Sequence, residues 1–119
     1  MSIREIPAAA ITDAVEALCI EANTRLPADV KAALDKAEAN EPWPLAKETL
    51  GLLQQNLCVA KEKDLPICQD TGMACVFIEL GQDAHIDGDL TDAVNEGVRR
   101  GYEKAFLRKS ITADPLQRA

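Results

Sequence analysis

Four stretches of this chain repeat their apolar residues with the period of an α-helix, and this feature constrains the fold most. In the first stretch, Ile11, Val15 and Leu18 recur at a spacing that places them on one helical face. Prolines lie between the first three stretches. Pro27 suits the first turn of a helix, and Pro42 and Pro44 flank Trp43 and favour an extended conformation there. We therefore predict helices over residues 8–23, 28–38, 45–63 and 89–106.

One further segment has the composition of a β-strand. Val76, Phe77 and Ile78 are all strong β-formers. We predict a strand over residues 72–80, followed by a loop over residues 82–88. Together these elements predict an α+β fold that is predominantly helical, with about four helices packed around a small sheet that contains strand 72–80.

Length and charge limit the kind of protein this can be. The 119 residues are enough for a single domain, which we assign to residues 1–119. A net charge of −7 argues against binding to nucleic acid, which needs clustered lysine and arginine. Charged side chains interrupt residues 1–22, so they predict no signal peptide, and no apolar run approaches the length of a membrane span. We expect a cytoplasmic protein without a membrane partner.

The four cysteines do not resemble a disulfide scaffold or a zinc site. Their positions include no CxxC pair, so we expect reduced thiols. Three of them, Cys19, Cys58 and Cys75, fall on predicted helices or on the strand, and we expect them in the core. The single histidine, His85, lies in the predicted polar loop, where we expect it to be exposed.

The turn before the predicted strand carries four adjacent polar or nucleophilic side chains. Residues 65–72 read Leu-Pro-Ile-Cys-Gln-Asp-Thr-Gly. Pro66 fixes its own φ and Gly72 permits a positive φ, so the run between them is a shaped turn. Such a cluster at the start of an apolar strand is more typical of a functional site than of a spacer.

This turn is similar to the signature of the class I iron–sulfur hydro-lyases. That family comprises the class I fumarate hydratases and the alpha subunits of the two-subunit fumarate and L-tartrate dehydratases. The resemblance is strongest over residues 64–119 and looser over the first half. Further matching motifs are Asn95-Glu96-Gly97-Val98 with Gly101-Tyr102, Leu107-Arg108-Lys109-Ser110 and Ala113-Asp114-Pro115-Leu116.

The resemblance implies a reaction and a set of site residues. It implies the reversible hydration or dehydration of a four-carbon dicarboxylate. The reaction would be either the hydration of fumarate to malate or the dehydration of tartrate to oxaloacetate. It makes Cys68 one of three cysteine ligands of a [4Fe-4S] cluster, and it places Gln69 and Asp70 in the substrate pocket. Asp70 would then serve in proton transfer, and Arg108 would pair with a substrate carboxylate. Implied partners are a beta subunit or C-terminal domain and further copies of the chain in a homo-oligomer.

Three of these residues also have a purely structural interpretation. Cys68 could be a small buried hydrophobic residue, as free cysteines often are. Asp70 could stabilise a turn or cap a helix, a role that is compatible with a functional one. Arg108 could be a cation at the C-terminal end of the last helix, where it would complement the helix dipole.

The last predicted helix carries Gly97 and Gly101 on one face. Glycine inside a helix costs about 1 kcal/mol relative to alanine, so two on one face indicate close packing of another backbone. We find no obvious partner for this small-residue stripe in the chain. For that reason we expect uncovered apolar surface and self-association.

Only one of the three implied cluster ligands occurs in the motif, and residues 111–119 read as a loop without a capping element. We therefore expect a fragment of a larger enzyme that is inactive alone and binds no stable four-iron cluster. The alternative is a small, non-catalytic helical interaction module. A cysteine-based redox protein is a weaker third hypothesis, because Cys68 has no adjacent basic residue. The sequence does not distinguish fumarate from tartrate as the substrate.

Overall fold

The computed structural model describes residues 3–117, and this part of the chain contains four α-helices and two short β-strands. The four predicted helices and the predominantly helical α+β class are confirmed, with small differences at the helix ends. In chain order the elements are β1 (Arg4–Pro7), α1 (Ala8–Thr24), α2 (Ala28–Asn40), α3 (Pro44–Lys63), β2 (Ala84–Asp87) and α4 (Leu90–Lys104).

Local sequence explains where the later helices begin. Pro44 occupies the first turn of α3, where its missing N–H has no helical partner to lose. Asp89 caps α4, because its side-chain oxygen accepts a hydrogen bond from the Asp92 N–H at 2.9 Å. Helix α3 ends at Asp64, whose φ of 49° lies in the left-handed region that ends many helices.

The sheet differs from the predicted one. β1 and β2 pair in parallel, with Ile6 opposite Ile86, and three helices lie in the connection between them. Such a long connection is what a parallel pair requires. The predicted strand over residues 72–80 belongs to no sheet within residues 3–117, and the predicted loop over residues 82–88 contains β2 instead.

The physical reason is that β propensity describes single residues, whereas a strand also needs a neighbour for its backbone groups. Residues 73–80 lie beside α1 with no assigned secondary structure, and they have no such neighbour in the described part of the chain. β2 has weaker β-formers, but β1 lies beside it. His85 is exposed as predicted, although it lies in β2 opposite Glu5 rather than in a loop.

The core lies between α1 and α4. Val15 is only 4% exposed, and Thr12 donates a buried hydrogen bond across the interface to the Ala93 carbonyl at 3.0 Å. The buried apolar cluster consists of Val15, Cys19, Tyr102, Ala105 and Leu107. Of the three cysteines expected in the core, Cys19 is buried, and burial raises its pKa. Cys58 and Cys75 are exposed, so that part of the prediction is wrong.

Two glycines allow this close approach of the helices. A Cβ atom on Gly97 would lie 2.7 Å from the Thr12 carbonyl oxygen, and one on Gly101 would lie 2.8 Å from the Cys19 Cβ. The predicted packing role of the glycines is therefore confirmed. The expectation that their stripe has no partner in the chain is wrong, because α1 covers it.

Helices α2 and α3 form a hairpin with little core of its own. Helix α2 contains no buried residue, and Ala60 is the buried residue of α3. Polar contacts connect the two helices instead, as Gln54 of α3 donates to Asp35 of α2. Within residues 3–117, no helix combines the length and apolar content that crossing a membrane would need.

Candidate functional site

Helices α1 and α3 hold the backbone immediately before Cys68. The Ile67 N–H donates to the Asn23 carbonyl at the end of α1, at 2.9 Å. The Ile67 carbonyl accepts a hydrogen bond from the Asn56 side-chain amide on α3, at 2.8 Å. Pro66, which precedes Ile67, limits the backbone further. The turn is therefore anchored through both backbone polar groups of one residue, Ile67.

Cys68 lies on the surface of this turn as a free thiol. Its Sγ lies 3.7 Å from the Gln69 Oε1, and the Asp70 N–H donates to the same sulfur at 3.5 Å. A backbone N–H directed at sulfur can also donate to a metal-bound thiolate. The exposure of Cys68 contradicts its alternative interpretation as a buried hydrophobic residue.

Thr71 connects the turn to the segment after α4. Its hydroxyl accepts a hydrogen bond from the Arg108 N–H at 3.0 Å and donates to the Arg108 carbonyl at 3.2 Å. The next residue, Gly72, has a φ of 64°, which glycine adopts without strain, and its carbonyl accepts from the Tyr102 hydroxyl at 3.3 Å. Residues far apart in sequence are thus joined at the end of the turn.

Arg108 lies beyond α4 rather than in its last turn. The helix ends at Lys104, and buried Leu107 returns the chain to the core through a 2.9 Å hydrogen bond from its N–H to the Tyr102 carbonyl. Arg108 follows as an exposed residue beside the turn. Its alternative interpretation as a cation in the last turn of a helix is therefore not supported.

The structure thus brings together the predicted site residues along one surface. Gln69 and Asp70 are exposed next to Cys68, and the Thr71 hydroxyl joins their turn to Arg108. No helix begins at Asp70, and no hydrogen bond of its side chain is found among residues 3–117, so its carboxylate is free for other chemistry.

Sequence reasoning did not find the residues that position this surface. Thr71 and Tyr102 belong to the motifs already noted. Their polar side chains within those motifs were the only indication in the sequence that they could position the turn. Asn23 lies near the end of α1 and Asn56 lies within α3, and no sequence pattern distinguishes either from an ordinary asparagine. Their role follows only from the approach of two helices to one turn.

The described residues cannot by themselves complete a metal centre. Among residues 3–117, no three His, Cys, Asp or Glu side chains are grouped to hold a metal ion. Cys68 has the exposure and the N–H···S contact expected of one cluster ligand. A cubane cluster held by three thiolates, as the resemblance implies, would need two more at this surface.

The surface is open rather than enclosed. A groove of about 470 Å³ lies behind the turn between α1 and the extended segment, and Thr71, Cys75 and Tyr102 are among its lining residues. Cys68, Gln69 and Arg108 lie outside it. Because small-molecule sites enclose most of their ligand, these side chains do not form a complete pocket by themselves.

Residues 12–119 match the family model described as fumarate hydratase (Fumerase). The match covers most of the chain, and the chain therefore belongs to the fumarate hydratase (Fumerase) family.

Individual relatives carry names from both branches of that family. The chain is 36% identical over 110 residues to a Methanocaldococcus jannaschii protein provisionally named L(+)-tartrate dehydratase subunit alpha, covering 91% of this chain and 38% of that protein. It is 28% identical over 98 residues to the L(+)-tartrate dehydratase subunit alpha of Escherichia coli K12, covering 82% of this chain and 32% of that protein.

A third relative is a Geobacillus stearothermophilus protein provisionally named fumarate hydratase class I, which is 38% identical over 64 residues. That match covers 53% of this chain and 12% of the relative. The chain thus spans well under half the length of these curated relatives.

Proposed function

We propose that this chain is the N-terminal domain of an iron–sulfur hydro-lyase alpha subunit, and that residues 67–72 with Arg108 form one wall of its active site. The observation that carries the proposal is the double hydrogen bond between the Thr71 hydroxyl and the Arg108 backbone. It brings the signature turn beside the arginine that the family resemblance assigns to substrate binding.

The proposed reaction removes water from a 2-hydroxy dicarboxylate. The C–O bond breaks as hydroxide leaves one carbon, a base removes the proton from the adjacent carbon, and a double bond forms between them. The reverse reaction adds water to the double bond. When bound, a [4Fe-4S] cluster with one open iron position would supply the Lewis acid that assists loss of the hydroxide.

The chain's own residues supply recognition and proton transfer. The Arg108 guanidinium can bind a substrate carboxylate through two parallel hydrogen bonds. The Asp70 carboxylate is exposed and without a hydrogen-bond partner among the described residues, so it can accept a proton or bind the substrate hydroxyl. The Gln69 amide can donate to substrate oxygens. Cys68 would hold the cluster as one of three thiolate ligands.

The proposal includes partners and a substrate class. Two relatives are named as alpha subunits, which supports a beta subunit or an equivalent fused domain as the partner. A four-carbon dicarboxylate fits both family names. The relatives named tartrate dehydratase cover more of this chain than the one named fumarate hydratase, so tartrate is the first substrate to test.

The test uses the complete enzyme that contains this chain, with Cys68→Ser, Asp70→Asn and Arg108→Ala compared for iron content and steady-state kinetics. We expect Cys68→Ser to lose the cluster. Asp70→Asn should keep the iron but reduce kcat, because the carboxylate is lost while the side-chain shape stays. Arg108→Ala should mainly raise KM, by an amount that corresponds to about 1.5–3 kcal/mol for a charged hydrogen bond.

Two matched variants serve as controls. Cys75→Ser changes another exposed thiol seven residues away, and Lys109→Ala removes the cation next to Arg108. Both should retain iron and activity. If Cys68→Ser keeps full iron and full activity, the proposal is wrong, and the helical interaction module becomes the better hypothesis.

A further inference from the structure

Thr71 uses both hydrogen-bonding capacities of its hydroxyl on a single residue. Its Oγ1 accepts from the Arg108 N–H at 3.0 Å and donates to the Arg108 carbonyl at 3.2 Å. A hydroxyl has one proton to donate and two lone pairs with which to accept. Because that proton is engaged within the chain, Thr71 cannot donate a hydrogen bond to a substrate in this arrangement. What it can do for a neighbouring site is to hold another residue in place.

The contact with Thr71 occupies both backbone polar groups of Arg108. The preceding residue, Leu107, is only 5% exposed, and its N–H donates to the Tyr102 carbonyl at 2.9 Å. The core thus fixes the backbone at Leu107, and Thr71 fixes it at Arg108. Among the described residues, the Arg108 guanidinium forms no salt bridge. The side-chain torsions of Arg108 remain free, so the Thr71 contact sets the region that the guanidinium can reach.

The turn that carries Thr71 is attached to the helices on both sides of this residue. Before it, the backbone of Ile67 forms hydrogen bonds to α1 and α3. After it, the Gly72 carbonyl accepts from the hydroxyl of the buried Tyr102 at 3.3 Å. The position of Thr71 is therefore set without Arg108, and the contact between them transmits the position of the turn to the arginine.

The type of residue at position 71 matters because few side chains can form both bonds. Serine has the same hydroxyl, whereas valine has the shape of threonine but neither a donor nor an acceptor. With valine, the N–H and the carbonyl of Arg108 would lose their shared partner. Because Arg108 is exposed, water can replace that partner at little cost in stability. Water does not attach the arginine to the turn, so its placement would be lost although the fold stays.

We propose that Thr71 is a positioning residue, whose hydroxyl holds the Arg108 backbone beside the turn and thereby sets the affinity of Arg108 for a substrate carboxylate. The consequence for substrate rests on the proposed function, which takes Arg108 as the group that binds the carboxylate. The placement of Arg108 by Thr71 does not depend on that function and is measured separately below.

The test compares Thr71→Val, Thr71→Ser and Thr49→Val in the complete enzyme that contains this chain. Thr49 is the matched control, since its exposed hydroxyl donates to the Leu45 carbonyl within α3 at 2.9 Å. We expect Thr71→Val to speed amide exchange in peptides that cover residues 106–110 and to raise KM roughly twofold to tenfold, with the iron content and kcat little changed. Thr71→Ser should behave like the unmodified enzyme, and Thr49→Val should change neither exchange nor KM.

A double-mutant cycle with Arg108→Ala separates an effect that passes through the arginine from any other effect. If Thr71 acts through Arg108, Thr71→Val should raise KM in the unmodified enzyme and leave it unchanged in the Arg108→Ala enzyme. An equal rise in both backgrounds would overturn the inference, because Thr71 would then affect substrate binding by another route.

Other results also decide the inference. Unchanged exchange of residues 106–110 in Thr71→Val would overturn it whatever the kinetics show, as would a Thr71→Ser enzyme that behaves like Thr71→Val. Loss of iron in Thr71→Val would assign Thr71 to the support of Cys68 instead. A rise in KM for Arg108→Ala but none for Thr71→Val would show that the arginine needs no such placement. If exchange is faster in Thr71→Val but Arg108→Ala leaves KM unchanged, the placement of Arg108 is supported and its role in the proposed function is wrong.

Discussion

The α1–α4 pair and the segment over residues 65–80 use apolar side chains in opposite ways. In the helix pair, Val15 and Leu107 are almost fully buried, and two glycines let the backbones touch. In the segment, Met73 and Phe77 are largely exposed, while the backbone is fixed mainly at Ile67 and Gly72. The first region forms a buried core, and the second exposes the candidate site residues and apolar side chains.

The difference follows from how the two kinds of element satisfy their backbone. A helix forms its hydrogen bonds internally, so it needs only an apolar surface to pack against. An extended segment needs another strand as well. The described part of the chain supplies an apolar surface for α1 and α4, but no second strand for residues 73–80.

The largest expected effect tests the close packing of the helix pair. Gly97→Ala places a Cβ 2.7 Å from both the Thr12 carbonyl oxygen and the Val15 Cβ, neither of which can move freely. We expect the free energy of unfolding to fall by about 1–3 kcal/mol. The measurement is urea denaturation followed by circular dichroism.

Gly51→Ala is the matched control in the loosely packed hairpin. Its added Cβ would meet only the flexible carboxylate tip of Glu38, at 3.2 Å. Here the helix propensity of alanine should dominate and raise the free energy of unfolding by up to about 1 kcal/mol. Equal changes in the free energy of unfolding for Gly97→Ala and Gly51→Ala would contradict the difference in packing between the α1–α4 pair and the α2–α3 hairpin.

A smaller effect tests how the signature turn is held. Asn56→Ala removes the hydrogen bond to the Ile67 carbonyl, and the control Asn40→Ala removes a bond to the Lys36 carbonyl within its own helix. Each exposed bond should change the free energy of unfolding by about 0.5 kcal/mol. Only Asn56→Ala should speed alkylation of the Cys68 thiol and amide exchange around it. An unchanged alkylation rate would show that the turn does not depend on α3.

The smallest effect concerns pH and the outer face of α4. Hydrogen bonds from Arg99, and then from Arg100, lower the pKa of Glu96 from 4.5 to about 2. The lowered pKa means that Glu96 contributes stability above pH 4.5, and that this contribution is lost as the pH falls towards about 2. Glu96→Gln should therefore reduce the loss of stability over this interval. The effect is small because exposed ion pairs are screened by water and salt.

The control for this titration is Glu62→Gln on α3. Glu62 forms no salt bridge among the described residues, so its substitution removes a carboxylate without removing an ion pair. Thermal denaturation at several pH values between about 2 and 5 measures both variants. Identical slopes for the two would show that the arginine contacts do not stabilise the folded chain.

The helices could be predicted from the sequence because helix formation depends on residues that are close together in the chain. The periodic apolar residues of α1 and α4 face each other, and Asp89 caps α4 as its position suggests. The same reasoning failed for the strand. Val76, Phe77 and Ile78 are strong β-formers, but the structure contains no strand there, because pairing depends on a partner that local propensity does not contain. It also placed Cys58 and Cys75 in a core that does not reach them.

The candidate site likewise combines residues that the sequence predicts with contacts that only the tertiary structure shows. Adjacent residues of one turn, Cys68, Gln69 and Asp70, could be predicted from the sequence because they share a motif. The position of Arg108 beside that turn required the Thr71 hydroxyl, and the anchoring of Ile67 required α1 and α3 to meet there. Contacts between residues distant in sequence depend on tertiary packing, which no local pattern encodes.

The sequence by itself determined the four helices, the predominantly helical class and the family signature, since each depends on residues close together in the chain. The tertiary structure decided which strands pair, which helix packs against the glycines of α4 and that Arg108 lies beside the turn. The physical reason is that hydrogen bonds within a helix are set by neighbouring residues, whereas strand pairing and site assembly require separate segments to meet.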